Sequence, residues 1–295
     1  MKRTINLVGQ NTLTVSLPSE FVKKQGLKKG QEIEVEEEGS ELVIRTKKKI
    51  ELEKKVLKAE EIKLIARRYI NALNRKGIDE IEISYENEKD LEEVKKALKK
   101  ELSTYEIVKK SDGICLIKSI SELDEKEFDN LLRRTLILLK EMVSVLGEAY
   151  KEKDKNKLKE ILELEELNNR LTCLLRRALN KKGHKDHKNT ILYYLILDQL
   201  EKAADELRDF SLICDLKVKG TSELISSLER LSQEFYDLFY SYSSTNVSKF
   251  ELNSREFIAK NQKLIKKLDP LEVHHLLSFC EIIFNLSASI TSINS

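Results

Sequence analysis

From Asp124 to Ser295, apolar side chains return every three or four positions, a spacing that only an α-helix turns into a continuous buried stripe. Leu132, Leu136, Leu139, Val143 and Leu146 form one such series, and Leu167, Leu171, Leu174 and Ala178 a second. A third runs through Leu224, Leu228, Leu231, Phe235 and Leu238. Interruptions divide this region into helices expected at 124–152, 156–181, 188–215, 221–243, 253–268 and 270–293. Long helices with short connections pack as antiparallel neighbours, and these six divide into two three-helix units. Composition agrees: charged residues make up 35% of 295 residues, aromatics 6%, and there are only two prolines and no tryptophan. Such a chain favours helices with solvated outer faces.

The first 46 residues read differently. Thr4–Val8 is a short strand ended by Gly9, and Leu13, Val15 and Leu17 alternate with Thr14 and Ser16 as a half-buried strand does. Pro18 ends that strand and opens a short helix over Glu20–Gln25, which Gly26 closes. Ile33 and Val35 alternate with glutamates, Gly39–Ser40 turns the chain, and Leu42–Ile44 completes a hairpin. So small a β unit cannot close a substantial core alone, so it is expected to dimerise. After a charged connector at Lys47–Glu53, residues 54–120 read as a small α/β spacer. It comprises a helix over Ala59–Asn74, a strand at Ile81–Ser84, a helix at Leu91–Leu102 and a hairpin turning on Asp112-Gly113. The fold class is therefore α+β and mostly α, in three parts: 1–46, 54–120 and 121–295.

The stretch Asn11-Thr12-Leu13-Thr14-Val15-Ser16-Leu17-Pro18-Ser19-Glu20-Phe21, followed by Gly26-Leu27-Lys28-Lys29-Gly30-Gln31-Glu32-Ile33-Glu34-Val35, resembles the AbrB/MazE/SpoVT swapped-hairpin domain. The likeness is strongest to the archaeal version that precedes helical domains of the phosphate-uptake regulator (PhoU) family. It implies two chains interleaving their hairpins into one dimeric β barrel that binds DNA. Two departures stand out: Gln31 occupies the usual Asp position, and the Gly-rich turn is reduced to Gly9. The charge distribution fits a polyanion-facing surface. Residues 1–30 hold six basic side chains against Glu20 alone, a local +5 on a chain of net charge +2. Lys2, Arg3, Asn11, Lys23 and Lys24 are the expected DNA-contacting residues.

The helical region resembles PhoU-like domains, whose repeats carry paired acidic residues that hold metal ions in several members. Gln199–Asp205 is similar to that motif, and Asp198, Glu201, Asp205 and Asp209 fall within about 80° on a helical wheel. The apolar residues Leu200, Ala203, Leu207 and Phe210 lie opposite, so this acidic stripe is expected to face away from its bundle core. Carboxylates one turn apart can grip a hard cation through several oxygens. The resemblance thus implies a divalent or ferric ion at Glu201 and Asp205, with Asp198 and Asp209 nearby. The companion motifs around Glu165 and Glu281 are degraded by Asn169 and Asn285, which leaves an ordinary solvated acidic face as the simpler reading.

Nothing points to catalysis. Walker, Rossmann, GxSxG and HExxH signatures are missing, so no enzymatic role is expected. Cys115, Cys173, Cys214 and Cys280 are widely spaced and read as core thiols of a reducing compartment. The paired histidines His184/His187 and His274/His275 have no partner at a zinc-binding spacing. The longest unbroken apolar run, Ile191–Leu197, is far short of the roughly 20 residues that span a bilayer, so a cytoplasmic protein without membrane insertion is expected. The resulting expectation is a homodimeric, DNA-binding transcriptional regulator linked to phosphate uptake or phosphate signalling. One alternative is an adaptor that docks on a phosphate transporter or signalling partner, with the β unit only dimerising. A further alternative is an antitoxin-like regulator, against which the long helical region counts.

Overall fold

A computed structural model describes residues 2–38, 41–45, 52–101, 104–120, 123–218 and 221–295. The chain forms two compact units, Met1–Leu52 and Glu53–Ser295. The described residues are mostly helical with a small N-terminal β region, the α+β class expected from the sequence.

The first unit holds β1 (Ile5–Val8), β2 (Thr12–Val15), α1 (Ser19–Gln25), β3 (Glu34–Glu38) and β4 (Glu41–Arg45). β1 and β2 pair antiparallel, with Ile5 opposite Val15 and Leu7 opposite Leu13. Side chains alternate along a strand, so these four share one face. Gly26 adopts the left-handed conformation at φ 63° and its N–H bonds back to the end of α1, a closure that glycine makes at least cost. Gln31 accepts a hydrogen bond from the Lys28 N–H at 3.2 Å and donates its own backbone N–H to the Lys28 carbonyl at 3.1 Å. The turn is thus held by an amide oxygen where the resembling family has a carboxylate. β3 and β4 pair with Val35 opposite Ile44 and Glu37 opposite Leu42. The turn expected at Gly39–Ser40, and most of the expected Lys47–Glu53 connector, lie outside the described residues. No residue of this unit is buried among those described.

The second unit opens with β5 (Lys54–Lys58), α2 (Ala59–Ile62), α3 (Ala66–Lys76), β6 (Glu80–Ser84), α4 (Glu88–Glu101), β7 (Tyr105–Ser111) and β8 (Ile114–Ser119). Strand order is β5-β6-β8-β7, with β5 parallel to β6 and the other pairs antiparallel. Asp112 and Gly113, at φ 53° and 71°, make the tight turn expected of that dipeptide. Two details differ from the sequence reading. β5 forms at Lys54–Lys58, a stretch to which the sequence reading assigned no element, because its pairing with β6 is long-range. The helix expected over Ala59–Asn74 breaks at Lys63–Ile65, although neither glycine nor proline lies there. Ile81, Ile83, Cys115 and Ile117 pack against Ile70, Leu91 and Val94 of α3 and α4.

Six long helices follow: α5 (Glu125–Glu152), α6 (Leu158–Lys182), α7 (Thr190–Ile213), α8 (Thr221–Tyr240), α9 (Ser244–Ile265) and α10 (Pro270–Asn294). Asp124 with Glu127 and Asp269 with Glu272 form capping boxes at the starts of α5 and α10, which satisfies amides left unpaired at a helix start. α9 begins nine residues before its expected start at 253, since Phe250 is buried and Val247 packs on the core. One hydrophobic cluster runs through all six helices, including Met142, Leu175, Leu200, Leu228, Phe257 and Phe279. α10 is long and apolar enough to cross a membrane by length and composition. Its Leu276, Phe279, Ile283, Leu286 and Ile290 are buried in that cluster. The four cysteines are free and buried.

The α/β module is docked on α6 by a buried polar seam. Arg177 donates to the Ile78 carbonyl at 2.6 Å, the Asn74 carbonyl at 3.2 Å and the Asp79 carboxylate at 2.7 Å. Lys181 makes a second ion pair with Asp79. Asn74 donates to the Cys173 sulfur at 3.1 Å and accepts from the Thr104 hydroxyl at 3.0 Å. Each polar group removed from water is thereby paired, the condition for burying it without a large penalty.

Candidate functional site

The N-terminal unit presents two kinds of surface. Lys2 and Arg3 are exposed and lead into β1, Asn11 is exposed in the β1–β2 turn, and Lys23 and Lys24 are exposed on the last turn of α1. Arg3 and Asn11 therefore stand at opposite ends of the hairpin, roughly 20 Å apart for about six residues at the usual strand rise. The second surface is apolar. Ile5, Leu7, Leu13 and Val15, which share one hairpin face, are 64%, 63%, 67% and 51% exposed. Val35 and Leu42, on a common face of the second hairpin, are 54% and 67% exposed.

The acidic stripe of α7 stays out of the core, with Asp198, Glu201, Asp205 and Asp209 partly exposed and Leu200, Ala203, Leu207 and Phe210 buried. It borders α6, which supplies an arginine between the helices. The fully buried Arg176 guanidinium lies 3.1 Å from Asp198 and also pairs with Glu201. Arg208, on α7 itself, reaches Glu165 of α6 at 2.6 Å, Asp205 at 2.6 Å and Asp209 at 2.9 Å. The wheel places the carboxylates correctly on one face but cannot show which neighbour that face meets. Partial burial pushes the Asp205 carboxyl up to about 6; Arg208 opposes this shift and nearby Glu165 adds to it. Glu165 is buried and also accepts from Asn169 at 2.8 Å. Glu281 is exposed on α10 and enters none of these pairs. For a metal ion the fit is poor: Asp198, Glu201, Asp205, Asp209 and Glu165 each already give one oxygen to the positive guanidinium of Arg176 or Arg208.

The fold assembles one further cluster that residue spacing concealed. Glu206 of α7 meets His275 of α10, with 2.7 Å between carboxylate oxygen and Nδ1, and His274 brings a third ligand-type atom within 4.8 Å of both. The 67 residues between Glu206 and His274 leave no local pattern to read.

Residues 8–52 match the family described as antidote-toxin recognition MazE, bacterial antitoxin. A curated relative, the heat-inducible transcription repressor HrcA of Fusobacterium nucleatum subsp. nucleatum, is 25% identical over 152 residues. That match covers 50% of this chain and 40% of the relative, so the chain spans well under half of the relative's length. No solved structure matches the chain.

Proposed function

We propose that this chain is a DNA-binding transcriptional regulator that acts as a homodimer in the cytoplasm. The carrying observation is the uncovered apolar hairpin face: Ile5, Leu7, Leu13 and Val15 are all more than half exposed in a single chain. Covering side chains of this kind contributes about 1.5–3 kcal/mol each, so a second copy that closes over the face has a strong driving force. Interleaved hairpins in one closed barrel would bury it, and the MazE-type match over residues 8–52 supports that arrangement. Pairing also doubles the +5 charge of residues 1–30, enough for several phosphate contacts. Lys2, Arg3, Asn11, Lys23 and Lys24 are the side chains assigned to DNA. The sequence similarity to a transcription repressor supports the same reading.

On this reading the protein acts by binding and carries out no reaction of its own. The larger unit receives a signal and alters the DNA affinity of the smaller. We assign that signal to phosphate supply, on the resemblance of the six-helix region and of Gln199–Asp205 to PhoU-like domains. The competing adaptor reading, in which the β unit only dimerises and a phosphate transporter or signalling protein is the partner, predicts no DNA affinity. An antitoxin-like role finds support in the family matched by residues 8–52, and predicts a toxin partner as well as DNA binding.

Titration of the full chain on duplex DNA across a salt series separates the DNA-binding readings from the adaptor. The expected log K against log salt falls linearly, and Lys2→Ala with Arg3→Ala flattens it by about two to four, since each lost phosphate contact removes about 0.9. A slope near zero favours the adaptor, and an unchanged slope in the double variant removes Lys2 and Arg3 from the DNA contact.

A further inference from the structure

A cavity of about 710 Å³ opens where the break between α2 and α3 faces α4, α6 and α7. That volume lies within the range of small-molecule pockets. Its walls carry Lys63, Arg67, Arg68, Arg75, Lys96 and Arg176, against only two carboxylates, Glu93 and Glu201. Both carboxylates already pair with cations of the wall: Glu93 with Lys96 at 2.6 Å and Glu201 with Arg176. Among the described residues Arg68 and Arg75 meet no carboxylate. A concave wall of cations focuses positive potential far more than a flat surface does.

Three further features of the same cavity point to a ligand. The sequence pattern of Ala59–Asn74 is continuously helical, yet the chain leaves the helix at Lys63–Ile65 and starts it again at Ala66. The break turns Leu64 and Ile65 outward, 93% and 49% exposed, and both line the cavity. No side chain caps the start of α3, whose first-turn residues Ala66, Arg67 and Arg68 line the cavity, and uncapped helix starts favour anions. The Asn169 side-chain oxygen is buried without a hydrogen-bond partner, and Asn169 also lines the cavity. A local sequence preference overridden at a cavity wall is the pattern expected at a binding site.

We propose that this cleft binds a small polyphosphorylated molecule of nucleotide size. Its phosphates sit among Arg68, Arg75 and the first turn of α3, and its flat apolar end lies on Leu64 and Ile65. The assignment stands independently of the DNA-binding reading, because every lining residue belongs to the larger unit.

Calorimetric titration of the full chain with ATP, and separately with pyrophosphate, tests it. The expected result is saturable binding of both, with ATP the tighter. Arg68→Glu combined with Arg75→Gln weakens both by about tenfold or more. Leu64→Ala weakens ATP alone, and all variants keep wild-type helicity and duplex-DNA affinity. Conservative Arg68→Lys retains most of the affinity, which a folding defect would not allow. Absence of saturation by either probe, wild-type affinity in the double variant, or ATP held no more tightly than pyrophosphate overturns the proposal. Loss of duplex-DNA binding in the double variant with ATP binding intact also overturns it, and makes the cleft part of a DNA surface.

Discussion

Arg177 and Asp79 show how single residues set the architecture of the larger unit. Each is buried, and their ion pair ties α6 to the turn before β6. Replacing Arg177 by Met leaves Asp79 buried with only Lys181 to balance it. Removing one partner of a buried pair costs about 3–5 kcal/mol, which a drop in the denaturant midpoint of the full chain reads directly; a change under about 1 kcal/mol contradicts this account of the seam. His184 gives a pH-dependent counterpart. Its ring stacks on Tyr193 at 4.1 Å, and its Nδ1 accepts from the Asp186 N–H at 3.1 Å. Burial pushes its pKa down, so the unfolded chain takes up the proton first. The stability contributed by neutral His184 is therefore present above the unfolded value of about 6.5 and is lost as pH falls below it. His184→Phe keeps the stack without the titration, so its stability should decline less than wild type between pH 7 and pH 5. Parallel declines in urea melts would refute that assignment.

At the level of elements, legibility tracked how local the cause was. The starts of α5 and α10 are readable because Asp124 with Glu127, and Asp269 with Glu272, write the capping box into four consecutive residues. Asp269→Ala removes a cap and should cost about 1 kcal/mol in thermal or urea unfolding; no loss would mean that the box adds nothing beyond the packing of α10. β5 was not legible: of Lys54–Lys58 only Leu57 is buried, and the strand exists through pairing with β6, more than twenty residues on. The early start of α9 follows from Phe250 meeting the core, a tertiary gain that outweighs the weak helix preference of Ser244-Thr245-Asn246. Of the candidate sites, the acidic stripe was legible as a stripe, whereas its arginine partners were not. Arg176 arrives from another helix, and the Glu206–His275 contact closes across 69 residues. The break at Lys63–Ile65 contradicts the local pattern outright, and it opens onto the basic cleft.

For the whole molecule, the contrast between the two units is the informative fact. The larger unit has a continuous core through six helices, while the smaller leaves its apolar strand residues in water. The account therefore rests on two copies closing over the face made by Ile5, Leu7, Leu13 and Val15, and on that pair engaging DNA. Sedimentation velocity of the full chain, alone and with a short duplex, compared with a Leu7→Asp and Leu13→Asp variant, tests this most directly. Carboxylates at those positions would be buried unpaired in the shared barrel, a cost it could not absorb. Wild-type protein should sediment as two chains and carry DNA as a pair, and the variant as one chain that no longer binds. A wild-type chain that sediments singly, or a variant that stays paired and DNA-bound, would contradict the account.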